Sequence, residues 1–201
     1  MWPSLQGDWF MDVNQFAANT PQLHAPMRLF AQYGVVLFAG MLLVGWWWAR
    51  RDPDPHKVAA ALWAPVGVLV AVGLNQPLVN HFREARPYSV YPHALVLVAR
   101  SHDYSFPSDH AVMAGAVAAG LLVAHRRLGA VAVLAALLMA CARVYVGAHF
   151  PLDVVIGLLF GAGVTLTGFL LFRSLLISLV ARLTRTRLRP LLSTSRVAAG
   201  R

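Results

Sequence analysis

The sequence has few of the residues that make up an ordinary soluble surface. Only 12% of its 201 residues are charged, whereas 58% are hydrophobic. Lysine, glutamate and cysteine each occur once, as Lys57, Glu84 and Cys141. A water-exposed surface normally carries more charge than this, and one cysteine permits no disulfide within the chain. The composition therefore excludes an ordinary soluble domain and a disulfide-stabilised one.

Long hydrophobic runs are what the sequence has instead. Five runs nearly free of charge have membrane length rather than amphipathic spacing, and they cover residues 29–48, 58–74, 111–124, 128–146 and 154–172. We therefore predict an all-α integral membrane protein, a bundle of about five transmembrane helices. The second and third runs are short, so we expect their helices to extend into partly polar flanks.

The basic residues indicate the topology. The chain carries 16 arginines and one lysine against eight acidic residues, which gives a net charge of +9. Most arginines flank the hydrophobic runs, in the connections that follow the first, third and fifth runs. Positively charged connections are typically cytoplasmic, so the pattern predicts an N-out, C-in topology. The same distribution favours membrane lipids over nucleic acid as the partner of the positive charge.

The two ends of the chain differ from the membrane core. Five apolar residues recur at roughly helical spacing before the first run: Trp2, Leu5, Trp9, Val13 and Phe16. This spacing predicts a helix in the outer membrane interface. We divide the chain into an outer interfacial segment at residues 1–27, a membrane domain at residues 28–182 and a basic cytoplasmic tail at residues 183–201.

Polar residues that could carry chemistry concentrate on the predicted outer side. They occupy the connections at residues 80–109 and 147–152, with Arg143 and Asp153 at the adjoining ends of two membrane runs. Ionisable residues at such depth are costly, and they usually face a polar cavity and serve a function. We therefore expect a site between these connections.

The acidic and sulfur residues do not suit a metal site. Glu84 and Asp103 stand without carboxylate neighbours in the sequence, which makes magnesium-dependent phosphoryl transfer a poor fit. The isolated Cys141 gives little support to a zinc site. We expect neither a metal nor a cofactor.

The remaining polar residues suit a phosphate ligand. Two arginines, a hydroxyl and a helix N-terminus can bind phosphate. Two histidines beside them, one with a carboxylate partner, can divide the roles of nucleophile and acid. The residues are Arg86, Ser108, His110, Arg143, His149 and Asp153.

Three short motifs occur in order through this part of the chain. They are Arg86-Pro87, "PSDH" at residues 107–110, and the pattern R-x5-H-x3-D formed by Arg143, His149 and Asp153. Together they resemble the signature motifs of the type 2 phosphatidic acid phosphatase family, which are integral-membrane lipid phosphatases. The stretches "LNQPLVNHFREARPY" and "HALVLVARS" are similar to the bacterial undecaprenyl-diphosphate phosphatases of that family.

The resemblance implies a mechanism through phosphohistidine. His149 would attack phosphorus, Asp153 would accept the hydrogen of the other ring nitrogen, and His110 would protonate the leaving oxygen and then activate water. Asp109 could favour protonated His110, although capping the following helix suits it better. The residues implied in phosphate binding are Arg86, Pro107, Ser108, Asp109 and Arg143.

Two positions depart from the family pattern. The first motif of the family usually begins with a lysine seven residues before its arginine, where this chain has Val79. The third motif usually has a serine before its arginine, where this chain has Ala142. Arg83 and His81 are the candidates to supply the missing positive charge.

The resemblance implies metal-independent hydrolysis of undecaprenyl diphosphate to the monophosphate, at the outer face of a bacterial inner membrane. Hydrolysis of phosphatidylglycerophosphate or phosphatidate is the alternative, because the motifs bind the phosphate and not the tail. A lipid-headgroup transporter and an inactive scaffold of the same fold are alternatives of other classes. A transporter is expected to carry repeats and charges at mid-membrane, whereas these ionisable residues gather at one face.

Overall fold

The computed structural model describes residues 2–193, and every regular element in that range is helical. The helices are α1 (Trp2–Ala18), α2 (His24–Ala49), α3 (Pro55–Phe82), α4 (Pro87–Val90), α5 (Asp109–Ala124), α6 (Arg126–Tyr145), α7 (Pro151–Leu183) and α8 (Arg189–Leu192), with a 3-10 turn at Pro21–Leu23. The predicted all-α membrane fold is confirmed. Residues 194–201 of the predicted basic tail lie outside the described range.

Within residues 2–193, four helical segments are long and apolar enough to cross a membrane: Pro21–Ala49, Pro55–Val90, Arg126–Tyr145 and Pro151–Leu183. The second hydrophobic run extends as expected, because α3 continues to Phe82. The third run differs from the expectation, since α5 adds only Asp109 and His110 and ends after 16 residues. The bundle therefore consists of four long helices and one shorter apolar helix.

The shorter helix α5 is the centre of the bundle. It packs against α3, α6 and α7, and also against α2, and most of its side chains are buried. A Cβ atom added at Gly161 of α7 would overlap the carbonyl oxygen of Val112, and one at Gly115 would overlap that of Leu158. The two backbones can approach this closely only because both positions are glycine, as in other membrane helix pairs. This contact holds the start of α5 against α7.

The N-terminal helix α1 lies across one end of the bundle. It contacts α6 and α7 with a face that includes the buried residues Phe10, Asn14 and Ala17. Trp9 and Phe16, from the predicted apolar stripe, are more than half exposed. The side chains of Trp2 and Leu5 lie outside the described part of α1. This arrangement suits an interfacial helix, and its position in a membrane remains a prediction.

The polar connections that contain the predicted site residues lie at one end of the bundle, and the basic connection at residues 50–57 lies at the other. The end of α3, the start of α5, the end of α6 and the start of α7 meet around one cavity. The basic connection at residues 50–57 meets the end of α7 at the other end. The chemistry-bearing residues are thus separated from the basic segments by the length of the bundle.

Candidate active site

A cavity of about 410 Å³ lies at the end of the bundle where the polar connections meet. Six of the nine predicted site residues line it, and they come from all three motifs: Arg86, Pro107, Asp109, His110, Arg143 and His149. Asp153 lies directly behind the cavity, in contact with residues around His149. The fold therefore brings together residues that are up to 67 positions apart in the sequence, from Arg86 to Asp153.

His149 lies in the short connection between α6 and α7 and is 2% exposed. Its Nδ1 is 2.8 Å from the backbone oxygen of Ser105. A carbonyl oxygen can only accept, so Nδ1 carries the ring hydrogen and Nε2 carries a lone pair, which faces Arg86 Nη1 at 3.3 Å. Burial lowers the pKa of His149 well below its ordinary value, and the charges of Arg143 and Arg86 lower it further. The ring is therefore neutral, with Nε2 available as a nucleophile.

Asp153 anchors the start of α7 and is fully buried. Pro151 suits the first helical position because its missing N–H would have no partner there. The Asp153 Oδ2 atom accepts hydrogen bonds from the Phe150 N–H at 2.9 Å and from the Ser105 hydroxyl at 2.5 Å. The same atom is 3.5 Å from His149 Nδ1, which is farther than the Ser105 carbonyl. His149 Nδ1 thus donates to the Ser105 carbonyl, while Asp153 Oδ2 lies within ion-pair distance of the same nitrogen and accepts from the Ser105 hydroxyl.

Arg86 lies beside the nucleophile and is 8% exposed. Its Nε and Nη2 atoms donate to Asp103 Oδ1 at 3.1 and 2.8 Å, and its Nη1 donates to the backbone oxygen of Ala148 at 3.1 Å. The same Nη1 is 3.3 Å from His149 Nε2. Burial raises the pKa of the Asp103 carboxyl, but hydrogen bonds from Ser101 and Arg86 outweigh it, so the net pKa is lowered. Asp103 is therefore an ionised partner that holds the Arg86 guanidinium at the cavity.

Arg143 approaches the same cavity from the last turn of α6. It is 8% exposed, and its Nη1 donates to the backbone oxygen of Ala31 at 3.4 Å. Its Nε has no hydrogen-bond partner among residues 2–193. A buried guanidinium with an unused donor at a cavity is well suited to an anionic ligand. His110, on the first turn of α5, is half-buried and lines this cavity as well.

Asp109 has a different environment from the one expected of a helix cap. It is the first residue of α5, and its Oδ1 accepts hydrogen bonds from Asn75 Nδ2 at 2.7 Å and Gln76 Nε2 at 3.0 Å. Asn75 also donates to the Pro107 backbone oxygen. These bonds tie α3 to the start of α5, so Asp109 positions the second motif while it lines the cavity.

Two predicted binding residues do not reach the cavity in this structure. Ser108 is fully buried, and its hydroxyl has no partner within the described chain. Its backbone N–H donates to the backbone oxygen of Asp153 at 3.1 Å. Arg83 is exposed and its Nε donates to the Asn80 backbone oxygen at 3.1 Å. The left-handed backbone at Arg83, with φ of 49°, ends α3 and directs the chain away from the helix.

The position of the missing lysine lies at the cavity wall. Val79 lines the cavity and supplies no charge, and Gln76, one helical turn earlier, lines it with an amide. Neither of the proposed substitutes, Arg83 and His81, is in the cavity lining. The two guanidinium groups of Arg86 and Arg143 are therefore the cationic side chains of the described lining.

Sequence reasoning did not identify Ser105 and Asp103 as site residues. Both lie in the connection between α4 and α5, which has no regular element. No spacing or hydrophobic period marks a residue in such a segment. Within residues 2–193, no group of three or more His, Cys, Asp or Glu side chains could hold a metal ion.

The chain is similar to known membrane phosphatases. The family profile described as "PAP2 superfamily" matches residues 60–177. The undecaprenyl-diphosphatase BcrC of Bacillus subtilis (strain 168) is 27% identical over 164 residues, which cover 82% of this chain and 81% of that protein. An Escherichia coli (strain K12) protein with the provisional name undecaprenyl-diphosphatase YbjG is 33% identical, over 80% of this chain and 79% of that protein. The crystal structure of Aquifex aeolicus LpxE matches with a TM-score of 0.63 and 27% identity, over 80% of this chain and 92% of that chain.

Proposed function

Because the chain belongs to the PAP2 superfamily, we propose that it hydrolyses undecaprenyl diphosphate to undecaprenyl phosphate and inorganic phosphate. The family resemblance deduced from the three motifs is confirmed, and the chain is accordingly a membrane-embedded hydrolase that acts on phosphate groups. The substrate is inferred from the names of the relatives, BcrC of Bacillus subtilis among them.

The observation that carries the proposal is the state of His149. Its neutral ring presents an unprotonated Nε2, in contact with Arg86, to a cavity that Arg143 also lines. A nucleophile with a lone pair and two guanidinium groups is what a phosphoryl group needs when it is transferred without a metal. The amides and hydroxyls elsewhere in the lining would be too weak to balance a phosphate dianion by themselves.

In the first step, His149 Nε2 attacks the terminal phosphorus of the lipid diphosphate. The new P–N bond forms as the bond from phosphorus to the bridging oxygen breaks, and protonated His110 gives its proton to that oxygen. Arg86 and Arg143 donate hydrogen bonds to the non-bridging oxygens as charge develops on them. The products of this step are phosphohistidine and the lipid monophosphate.

In the second step, neutral His110 takes a proton from water. The resulting hydroxide attacks the phosphorus, the P–N bond breaks, and inorganic phosphate leaves with both histidines restored to their initial states. The two half-reactions use the same acid-base residue in opposite directions, as microscopic reversibility requires.

The charge asymmetry of the chain supports a position of the site at the outer face of the membrane. The cavity lies at the end of the bundle opposite the basic connection at residues 50–57. The positive-inside rule supports placing that basic end in the cytoplasm and the cavity at the outer face of a bacterial inner membrane. A substrate headgroup would then reach the cavity while its polyprenyl tail stays in the bilayer.

The test measures phosphate release by the purified protein in detergent with EDTA present. Undecaprenyl diphosphate, phosphatidylglycerophosphate and phosphatidate are compared as substrates. We expect preferred hydrolysis of undecaprenyl diphosphate, and a loss of at least about 10³-fold in His149→Ala because the nucleophile is removed. His102→Ala is the matched control, because His102 is an exposed histidine outside the cavity lining.

Each part of the proposal fails on a different result. Absence of phosphate release from all three lipids, or full activity in His149→Ala, contradicts the mechanism. Preference for phosphatidylglycerophosphate or phosphatidate contradicts only undecaprenyl diphosphate as the substrate and supports the alternative substrate class.

A further inference from the structure

We propose that Ser105 is a positioning residue that connects the Asp153 carboxylate to the nucleophile His149. This inference rests on the proposed function, since it concerns how the nucleophile is held and stabilised. Ser105 is fully buried and contacts both residues at once. None of the three sequence motifs includes it.

Two atoms of Ser105 face the protonated ring nitrogen of His149. Its backbone oxygen is 2.8 Å from Nδ1, and its hydroxyl oxygen is 3.4 Å from the same atom. The carbonyl is the shorter contact, and it fixes the tautomer because it can only accept a hydrogen bond. The Ser105 carbonyl therefore keeps Nε2 without hydrogen, since it lies closer to Nδ1 than Asp153 Oδ2, which is 3.5 Å away.

The hydroxyl of Ser105 has a defined direction. It lies 2.5 Å from Asp153 Oδ2, and a carboxylate oxygen can only accept, so the hydroxyl hydrogen belongs to this bond. The lone pairs of the hydroxyl oxygen are then left for the Nδ1–H of His149. The negative charge of Asp153 polarises the hydroxyl, and the ring is in contact with the polarised oxygen.

This arrangement matters most after His149 has attacked phosphorus. The ring then carries a phosphoryl group on Nε2 and a hydrogen on Nδ1, so it is positively charged. The Ser105 carbonyl and hydroxyl stabilise that charge, and Asp153 contributes through the hydroxyl. Because Ser105 has no exposed surface, solvent water is poorly placed to replace the hydroxyl when it is removed.

The first test is the steady-state kinetics of Ser105→Ala with undecaprenyl diphosphate. We expect kcat to fall about 10- to 100-fold, the range that follows from losing one hydrogen bond to a charged group, with KM changed less than about twofold. Ser105→Thr keeps the hydroxyl and should recover most of the lost kcat. Ser89→Ala removes an exposed serine of α4 at the same end of the bundle and should behave as the wild type.

The second test is a double-mutant cycle between Ser105→Ala and Asp153→Asn. If Asp153 acts through Ser105, the double variant should lose no more kcat than the more damaged single variant. Losses that multiply would mean that the two residues act independently, and they would overturn the inference. Unchanged kcat in Ser105→Ala would overturn it as well.

A measurement on the unmodified protein covers the case in which Ser105→Ala does not fold. The 15N NMR spectrum of histidine-labelled protein in detergent reports which ring nitrogen carries hydrogen, and His149→Gln assigns the signal. We expect hydrogen on Nδ1 of His149, and hydrogen on Nε2 contradicts the proposed role of Ser105. Failure of the proposed function is separate, because the wild type would then release no phosphate from any lipid.

Discussion

At the scale of single residues, the site combines an unprotonated nucleophile with an arginine whose hydrogen-bond donors already have partners, the nucleophile among them. Arg86 donates to Asp103, to the Ala148 backbone and towards His149. A phosphate that binds Arg86 must therefore compete with the carboxylate of Asp103. Asp103 keeps Arg86 in place before the substrate arrives, and it opposes the binding of an anion at the same time.

Replacing Asp103 with asparagine tests this competition. We expect Asp103→Asn to bind vanadate, a phosphate mimic, about twofold to fivefold more tightly, which corresponds to roughly 0.4–1 kcal/mol for a partly screened charge pair. The inhibition constant against phosphate release measures the change. Asp12→Asn removes the same charge from the exposed side of α1 and serves as the control. Equal or weaker vanadate inhibition in Asp103→Asn would contradict the competition.

The sequence predicts the motif residues better than it predicts the residues that hold them in place. His149, Arg86 and Arg143 could be named because their motif spacings are recognisable and their charges are unusual beside membrane helices. Ser105 and Asp103 could not, because their contacts depend on the path of an irregular connection. The burial of the Ser108 hydroxyl could not be predicted either, since a helix N-terminus does not determine the direction of the side chain that precedes it.

At the scale of helices, the contact between α5 and α7 determines how firmly the site is held. The start of α5 carries His110, and the start of α7 carries Asp153. The Ser108 N–H bonds the Asp153 backbone oxygen, and the glycine contacts continue the same interface toward the middle of both helices. Loosening this interface would move the two catalytic ends relative to each other.

Two glycine substitutions on α7 distinguish the effect of the close contact with α5 from the effect on the helix itself. In Gly161→Ala the new methyl group overlaps the Val112 carbonyl of α5, so we expect a loss of about 1–3 kcal/mol in stability. In Gly163→Ala the methyl group meets open space, and alanine is the better helix former, so stability should stay equal or rise. Thermal unfolding in detergent compares them, and equal melting temperatures would count against the close contact.

Hydrophobic run length predicts the existence of the helices but not all of their ends. The runs identified α2, α6 and α7 as long membrane helices, and α3 extended into its polar flank as expected. α5 did not extend, because the chain before Asp109 is used for Ser105 and the other contacts of the site. The polar connection before Asp109 thus serves the site and does not lengthen α5.

At the scale of the whole molecule, the basic connection and the candidate active site lie at opposite ends of the bundle axis. The cavity with His149 occupies one end, and the connection with Arg50, Arg51 and Lys57 occupies the other. The two signals are independent in the sequence, since one comes from motifs and the other from arginine distribution. They mark opposite ends of the same bundle, as the proposed orientation requires.

Cysteine labelling tests that orientation. In a Cys141→Ser background, which has no other cysteine, Asp8→Cys and Arg187→Cys place single thiols at exposed positions near the two ends. A membrane-impermeant maleimide applied to bacterial spheroplasts should label position 8 and not position 187. Permeabilised cells provide the control in which both positions react. The reverse pattern would place the active site in the cytoplasm.

The length of α5 has a consequence for the membrane around the protein. Its 16 residues span about 24 Å, compared with about 30 Å for the hydrocarbon core of a typical bilayer. If the other end of this helix lies at one edge of the hydrocarbon core, its catalytic end lies below the opposite edge, unless the bilayer thins next to the protein. Lipid acyl-chain length would then be a variable of the reaction, because thicker bilayers increase the depth to which a diphosphate headgroup must descend.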